Sequence, residues 1–130
     1  MEHILSTLEE RKKPVARLAK NSKLFKTIIN TIKEKKGENI VVLDLRKIDE
    51  AVADFFILCD GRSNIQLKAI ADNIKDDVEL ECDEKPYHVE HGDKWTLVDY
   101  INVVVHVFQH EQREFYSLES LWADAERTEY

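Results

Sequence analysis

The apolar residues of this chain follow a helical period in some segments and a strand pattern in others. Near the beginning, five apolar side chains recur on one helix face: Leu24, Phe25, Ile28, Ile29 and Ile32. Asn21 or Ser22 can cap this helix, and Gly37 can end it. The spacing therefore predicts a first helix that begins after the cap and ends before the glycine.

Two segments with apolar residues at consecutive positions follow, Ile40–Leu45 and Asp54–Cys59. Consecutive apolar positions are typical of strands that are covered on both faces. Ser63 and Gln66 then stand at the spacing of a capping box. They predict a second helix, whose apolar face is formed by Leu67, Ile70, Ile74 and Val78.

The second half of the chain predicts three more strands and a closing helix. The strands are Tyr87–Glu90, Trp95–Tyr100 and Val103–Phe108, with a tight connection at Ile101 and Asn102. Isoleucine is a poor residue for a positive-φ turn position, so a bulge or a longer loop is an alternative. The closing helix begins near residues 109–111, and its core face comprises Phe115, Leu118, Trp122 and Ala125.

These elements have the order α-β-β-α-β-β-β-α. Hairpins and one crossover helix predict an α/β fold (α+β-like) with a mixed sheet of about five strands, flanked by helices. The predicted domain spans residues 21–125. Residues 1–20 are predicted to be an N-terminal extension, helical or mobile, and residues 126–130 a polar tail.

Charge divides the chain into two parts. Residues 1–36 contain ten Lys or Arg and four acidic residues, whereas residues 37–130 contain nine Lys or Arg and 22 acidic residues. The acidic body repels phosphate backbones, which argues against sequence-specific nucleic-acid binding, and it suits a basic protein partner. The basic segment could touch RNA or an anionic surface, although a solvated helix face is the favoured interpretation.

Hydropathy and cysteine usage favour a cytoplasmic protein without a membrane partner. No apolar run approaches about 18 residues. The charged run Glu9–Lys13 interrupts any N-terminal signal segment. Cys59 lies in an apolar run and Cys82 in an acidic loop, so no disulfide is required.

Histidine spacing raises the possibility of a zinc site. His88 and His91 are three residues apart, His106 and His110 are four apart, and Cys82 could complete a ligand set. These residues fall in different predicted elements, so scattered surface and core histidines are the favoured interpretation.

Phosphoryl or nucleotidyl transfer is a second chemical alternative. Gly61–Ser63 lies between a predicted strand and a helix N-terminus, where backbone N–H groups can hold a phosphate. Metal-dependent transfer also requires paired carboxylates, and no second acid stands at Asp-x-Asp spacing from Asp99. Cys59 is expected to be buried and inert, and no catalytic triad is evident, so we expect neither an enzyme nor a cofactor.

A protein-binding surface is the stronger hypothesis. Alternation predicts that Trp95, Leu97 and Asp99 share one side of their strand. It also predicts a common face for Val104, His106 and Phe108 on the next strand, and an outer helical stripe of Arg113, Tyr116 and Glu119. If this sheet face is partly open, aromatic residues with a polar rim form a patch of the kind that interfaces use. The alternative for Trp95 and Phe108 is plain core.

The same residues carry a family resemblance. The blocks Trp95–Phe108 and Glu111–Asp124 closely resemble the ribosomal silencing factor family, also called Iojap-like. Upstream, Asp54–Gln66 and Ala69–Asp72 fit the same family, so the resemblance covers about residues 22–125. The chain departs from the family where Gly-Asp is usual and Ile101-Asn102 stands here, at His91, and in a short loop before Trp95.

The resemblance implies a non-enzymatic protein with a nucleotidyltransferase-like fold that lacks the catalytic residues. It implies binding to the large ribosomal subunit through ribosomal protein uL14, which hinders subunit joining and represses translation when nutrients are short. It also implies a homodimer in the free state. By position, the partner-binding role falls on seven residues: Trp95, Asp99, Tyr100, His106, Phe108, Arg113 and Tyr116.

Overall fold

A computed structural model of the chain describes residues 22–130, apart from the side chains of Phe115 and Tyr116. The predicted N-terminal extension and the alternative cap at Asn21 lie outside the described residues. The helices are α1 (Lys23–Glu34), α2 (Asn64–Cys82), α3 (His110–Tyr116) and α4 (Leu118–Leu121). The strands are β1 (Glu38–Asp44), β2 (Phe55–Gly61), β3 (His88–Glu90), β4 (Trp95–Asp99), β5 (Val103–Gln109) and β6 (Glu126–Glu129).

The strands form one mixed sheet in the order β3-β4-β5-β2-β1-β6. Among the strands of residues 22–130, only β2 and β5 run parallel, and all other neighbours are antiparallel. Helix α2 lies on the connection between the two parallel strands, as a crossover requires. The predicted mixed sheet flanked by helices is therefore confirmed, with six strands where the sequence predicted about five.

Two apolar cores lie on opposite faces of the sheet. Helices α1 and α2 pack on one face, where Phe25 contacts the ring of Phe55 with centroids 5.2 Å apart. The other face is covered by Leu45, by residues 51–53 and by Leu118 of α4. Every residue of β2 is buried, which confirms the prediction that this strand is covered on both faces.

The predicted caps of the two long helices are confirmed. The Ser22 hydroxyl accepts the N–H of Phe25 at 3.2 Å, and the Ser63 hydroxyl accepts the N–H of Gln66 at 3.1 Å. The Gln66 side chain reaches back to accept the N–H of Arg62 at 2.7 Å, one residue before the N–H that a capping box uses.

Gly37 ends α1 for a reason other than backbone freedom. Lys36 has the positive φ, 65°, that glycine usually takes at this position, and it does so at a cost of roughly 1–2 kcal/mol. A Cβ at Gly37 would lie 2.4 Å from Cγ2 of Ile32. Close approach to the last turn of the helix therefore requires glycine here.

The closing helix differs from the prediction. Ser117 has a φ of 45° and divides it into α3 and α4, because its left-handed backbone ends one helix and starts the next. Leu118 is buried as predicted, while Trp122 and Ala125 are only partly buried against the core. The side chain of Phe115, a fourth predicted core residue, lies outside the described part.

The polar tail is part of the sheet, which corrects the predicted boundary at residue 125. Residues Glu126–Glu129 form β6, which pairs antiparallel with Val41–Asp44 of β1. The N–H of Tyr130 donates to the Ile40 carbonyl at 3.0 Å, and its ring lies 6.0 Å from the ring of Phe25. Backbone hydrogen bonds stabilise this strand, so it needs no apolar alternation.

The β4–β5 connection is a tight turn centred on Ile101, as the sequence predicted. The N–H of Asn102 donates to the Tyr100 carbonyl at 2.9 Å, and Ile101 has a φ of 72°. Its N–H donates to Oδ1 of Asp99 at 2.7 Å, which holds the turn closed. A β-branched residue with a positive φ is strained, and glycine is the residue that adopts this conformation freely.

Among residues 22–130, no helix is long and apolar enough to cross a bilayer.

We expect Ile101→Gly to raise the free energy of unfolding by about 1 kcal/mol, because it removes the strain of the positive φ. Ile101→Ala is the matched control, since it also removes the side chain but retains the unfavourable backbone. Urea unfolding midpoints compare the two variants. A glycine variant no more stable than the alanine variant would show that the turn is not strained.

Candidate protein-interaction site

The β4–β5 hairpin places its side chains as the alternation predicted. Trp95 pairs with Phe108, Leu97 with His106, and Asp99 with Val104. The apolar members of these pairs belong to the same core, on one face of the sheet: Trp95, Leu97, Val104 and Phe108. The hairpin is thus a rigid support whose register is fixed by its aromatic and apolar pairs.

This face of the hairpin is not open. Trp95, His106 and Phe108 are 0% exposed, and Leu97 is 2% exposed. Trp95 stacks on Phe108 with ring centroids 4.9 Å apart, and Phe56 meets His106 edge-on at 4.6 Å. The expectation of a partly open sheet face is therefore wrong, because loop residues and α4 cover it. The partner-binding role of these side chains stays a prediction.

His106 is the polar member of this aromatic cluster. The indole N–H of Trp95 donates to its Nδ1 at 3.1 Å, so the neutral ring carries its proton on Nε2. Burial lowers the pKa of His106 to about 3, which keeps the imidazole neutral at physiological pH. Its role in the described structure is to hold Trp95 in one orientation.

Asp99 and Tyr100 close the hairpin. Asp99 is 1% exposed, and its Oδ1 accepts the N–H of Ile101 in the turn. Tyr100 is 5% exposed and lies on the opposite face, in the core beneath α1 and α2. Burial is the main reason that the pKa of Tyr100 is raised well above its usual value. Asp99 therefore stabilises the turn, and Tyr100 packs the end of the hairpin into the core.

Arg113 is buried, and its guanidinium group donates hydrogen bonds to three residues. Its Nη1 donates to Oδ1 of Asp60 at 2.8 Å and to the carbonyl of Asn39, while its Nε donates to Glu119 at 3.1 Å. Burial alone would lower the pKa of Arg113, but the carboxylates of Asp60 and Glu119 raise it above its ordinary value. The predicted outer stripe is therefore wrong for Arg113, which points inward. The Tyr116 side chain lies outside the described part.

The ion pairs continue to both sides of Arg113. His110 approaches Oδ2 of Asp60 at 2.9 Å, and Arg127 of β6 approaches Glu119 at 3.2 Å. The contact with Asp60 raises the pKa of His110. A raised folded-state pKa adds stability below the unfolded pKa, about 6.5, and this stability is lost as pH rises through the folded pKa.

The exposed residues of this region include three acids and one leucine. Leu121 is 63% exposed, and Glu111, Glu114 and Asp124 are exposed nearby in sequence. We call these four residues the α3–α4 flank. Sequence reasoning missed Leu121, although its position off the predicted core face of the closing helix is a signal that could have found it.

The chemical alternatives receive no assembled site within residues 22–130. His106 bonds Trp95 and His110 pairs with Asp60, and no cluster of three or more His, Cys, Asp or Glu residues in the described part is placed to hold a metal. The Ser63 hydroxyl is used as a helix cap. Burial raises the pKa of the Cys59 thiol to about 12, which leaves it a poor nucleophile.

Comparison with known proteins decides the family. The model of the family described as "Ribosomal silencing factor during starvation" matches residues 18–130. This chain belongs to the ribosomal silencing factor family. The match extends through β6, in agreement with the structural role of the last residues.

Individual relatives agree with this assignment. The ribosomal silencing factor of Halalkalibacterium halodurans is 37% identical over 110 residues, which cover 84% of this chain and 93% of that protein. The one from Bacillus subtilis is 42% identical over 97 residues, with 71% and 78% covered. A crystal structure of a Chromobacterium violaceum protein superposes with a TM-score of 0.71 at 31% identity, with 77% and 83% covered.

A more distant relative comes from the mouse. It is named "Mitochondrial assembly of ribosomal large subunit protein 1", and it is 28% identical over 99 residues, which cover 73% of this chain and 43% of that protein. The resemblance that the hairpin and the closing segment predicted is thus confirmed at the level of the family.

We expect Arg113→Met to lower the free energy of unfolding by about 3–5 kcal/mol, because it leaves the buried carboxylate of Asp60 with only the exposed His110 beside it and removes one of the two cations that pair with Glu119. Arg62→Met is the control, since its ion pair with Glu38 is exposed and should contribute nothing measurable. Urea unfolding of both variants makes the comparison. Equal midpoints would contradict the role assigned to Arg113.

Proposed function

We propose that this protein binds the large ribosomal subunit through ribosomal protein uL14, blocks joining of the small subunit, and so represses translation in the cytoplasm when nutrients are short. Membership of the ribosomal silencing factor family carries the proposal. The name of the mouse relative, which concerns the large subunit, supports the choice of that subunit.

Charge supports a basic protein as the direct partner. The exposed acids of the α3–α4 flank repel RNA but attract a basic ribosomal protein, and opposite potentials speed the encounter and orient it. Leu121, which lies between Glu114 and Asp124 in the sequence, adds exposed apolar contact area. We propose that the flank makes the contact, together with Tyr116.

The buried residues predicted to bind the partner then act as support. Trp95, His106 and Phe108 form the base under α4, and Arg113 attaches α3 to the sheet. A binding surface needs such locked neighbours to hold its contact residues in place. Substitution of these residues would weaken binding by disordering the flank, so they are poor probes of direct contact.

The same features favour a binder over an enzyme. Asp60 is neutralised by Arg113, and Asp99 is hydrogen-bonded in the turn, so neither is arranged as one of a pair of metal-binding carboxylates. We therefore propose that the protein acts by occupancy, without cofactor or metal. We also propose that the free protein is a homodimer.

We expect Leu121→Lys to weaken binding to purified large ribosomal subunits at least tenfold, because it removes an apolar contact and adds a charge of the partner's sign. Leu80→Lys is the matched control, since Leu80 is 81% exposed on α2, away from the flank. Co-sedimentation across a range of subunit concentrations gives both affinities. Equal affinities for the two variants would exclude the flank as the contact surface.

A further inference from the structure

The outer face of α1 carries a row of lysines. Lys23, Lys26 and Lys33 fall within an arc of about 80° on the helix and span roughly 15 Å along its axis. Lys36 follows just after the helix end. All four are exposed, and we call them the basic stripe. It is the counterpart of the acidic α3–α4 flank.

These ammonium groups are available to a ligand. Within residues 22–130, none of the four forms an ion pair, whereas Lys68 on α2 pairs with Asp72 at 2.7 Å. The apolar face of α1 is buried beneath them, so the helix presents only polar side chains outward. The charge of the stripe is therefore not used to stabilise the described fold.

The backbone conformation of Lys36 is a second observation that points to a function for the stripe. Its φ of 65° is the left-handed conformation that glycine adopts freely, so lysine is a strained choice at this helix end. The backbone of Lys36 ends the helix, and this role does not require a lysine side chain; strained positions are concentrated at functional sites. The side chain lines the same groove as Lys33 and Arg62.

The stripe and the flank approach the same end of the sheet. The groove beside Lys33 and Lys36 includes Glu38 and Arg62, and those two residues also line the groove at His110 and Glu111. A ligand at the stripe would therefore be adjacent to a protein bound at the flank.

We propose that the basic stripe binds the RNA phosphate backbone of the large ribosomal subunit, beside the protein partner of the flank. The inference rests on the proposed function, which brings the chain to that subunit. Phosphate contacts by lysine fix orientation without reading sequence, so the proposed contact is not specific for a base sequence.

The chemistry favours RNA over an anionic membrane. An interfacial helix must insert its apolar face among the lipids, and here that face packs on the sheet through Phe25, Ile28 and Ile32, which are 0–2% exposed. The stripe can offer a membrane only charge. A polyanion with regularly spaced phosphates matches lysines that are spaced along one face of a packed helix better.

The salt dependence of binding to purified large subunits tests the proposal. We expect Lys26→Gln/Lys33→Gln to weaken binding roughly tenfold and to reduce the slope of log K against log salt by about 2, since each lysine–phosphate contact contributes about 0.9. Lys47→Gln/Lys85→Gln, which removes the same charge from exposed positions elsewhere, should leave both quantities unchanged.

Lys36→Gly separates binding from folding. We expect this variant to unfold at a higher urea concentration than the wild type, because glycine relieves the positive φ, and yet to bind large subunits several-fold more weakly. Unaltered affinity and slope in both stripe variants, with wild-type binding intact, would overturn the proposal. If the wild type itself did not bind, the proposed function would fail instead.

Cross-linking identifies the ligand. Asn30 is exposed between Lys26 and Lys33 on the same face, and p-azidophenylalanine at this position should cross-link to ribosomal RNA on irradiation of the complex. Cross-links to ribosomal protein alone would overturn the assignment. So would stripe-dependent binding to vesicles of equal parts phosphatidylglycerol and phosphatidylcholine, with subunit binding independent of the stripe.

Discussion

The buried guanidinium of Arg113 is the contact on which the arrangement of this protein depends. It binds Asp60 near the end of β2, the Asn39 carbonyl at the start of β1, and Glu119 of α4. A charge taken out of water needs such a complete set of acceptors, and removal of any one is costly. Through this set, the short helices that carry the proposed contact surface are fixed to the centre of the sheet.

The irregular backbone of β1 supplies one of the acceptors that Arg113 needs. The register of β1 shifts between Glu38 and Val41, and Asn39 has a φ of 51°. The irregular backbone directs the Asn39 carbonyl to Arg113, and the Asn39 side chain donates to Oδ2 of Asp60 at 2.8 Å. Bulges commonly redirect groups beside functional sites in this way. Arg127 extends the ion pairs to β6, so the last strand is stabilised by charge as well as by its backbone.

Acidic and basic side chains are exposed on different parts of this rigid domain. The buried aromatic cluster of Trp95, His106 and Phe108 contributes rigidity, while the exposed flank contributes acidic and apolar contact area. Lys33 of α1 and Lys36 after it line a groove with Glu38 and Arg62, which also line the groove beside Glu111 of the flank. One small domain thus presents surfaces of opposite sign, which suits the proposed contact with a particle made of both protein and RNA.

The sequence was sufficient for features set by short-range chemistry. Helical spacing predicted α1, capping-box spacing predicted the start of α2, and alternation predicted which hairpin residues share a face. Ile101 was recognised as a poor turn residue, and its positive φ shows the strain directly. In each case a few neighbouring residues determine the conformation.

Features set by distant contacts were not predictable in the same way. Asp60 and Arg113 are 53 residues apart, and nothing local indicates their pairing. The face of Trp95 is closed by loop residues whose position depends on the whole fold, so its burial could not be read from alternation. Strand β6 is polar and shows no apolar alternation, so only its hydrogen bonds with β1 identify it as a strand.

The most direct test of the proposed function is a subunit-joining assay with purified large and small ribosomal subunits, followed by sucrose-gradient sedimentation. Preincubation of the large subunit with a saturating amount of the protein should prevent formation of the joined ribosome, because the small subunit then meets an occupied face. Preincubation of the small subunit alone, with the protein removed before mixing, should allow joining. Undiminished joining with the large subunit saturated would contradict the proposal that this protein acts by occupying that face.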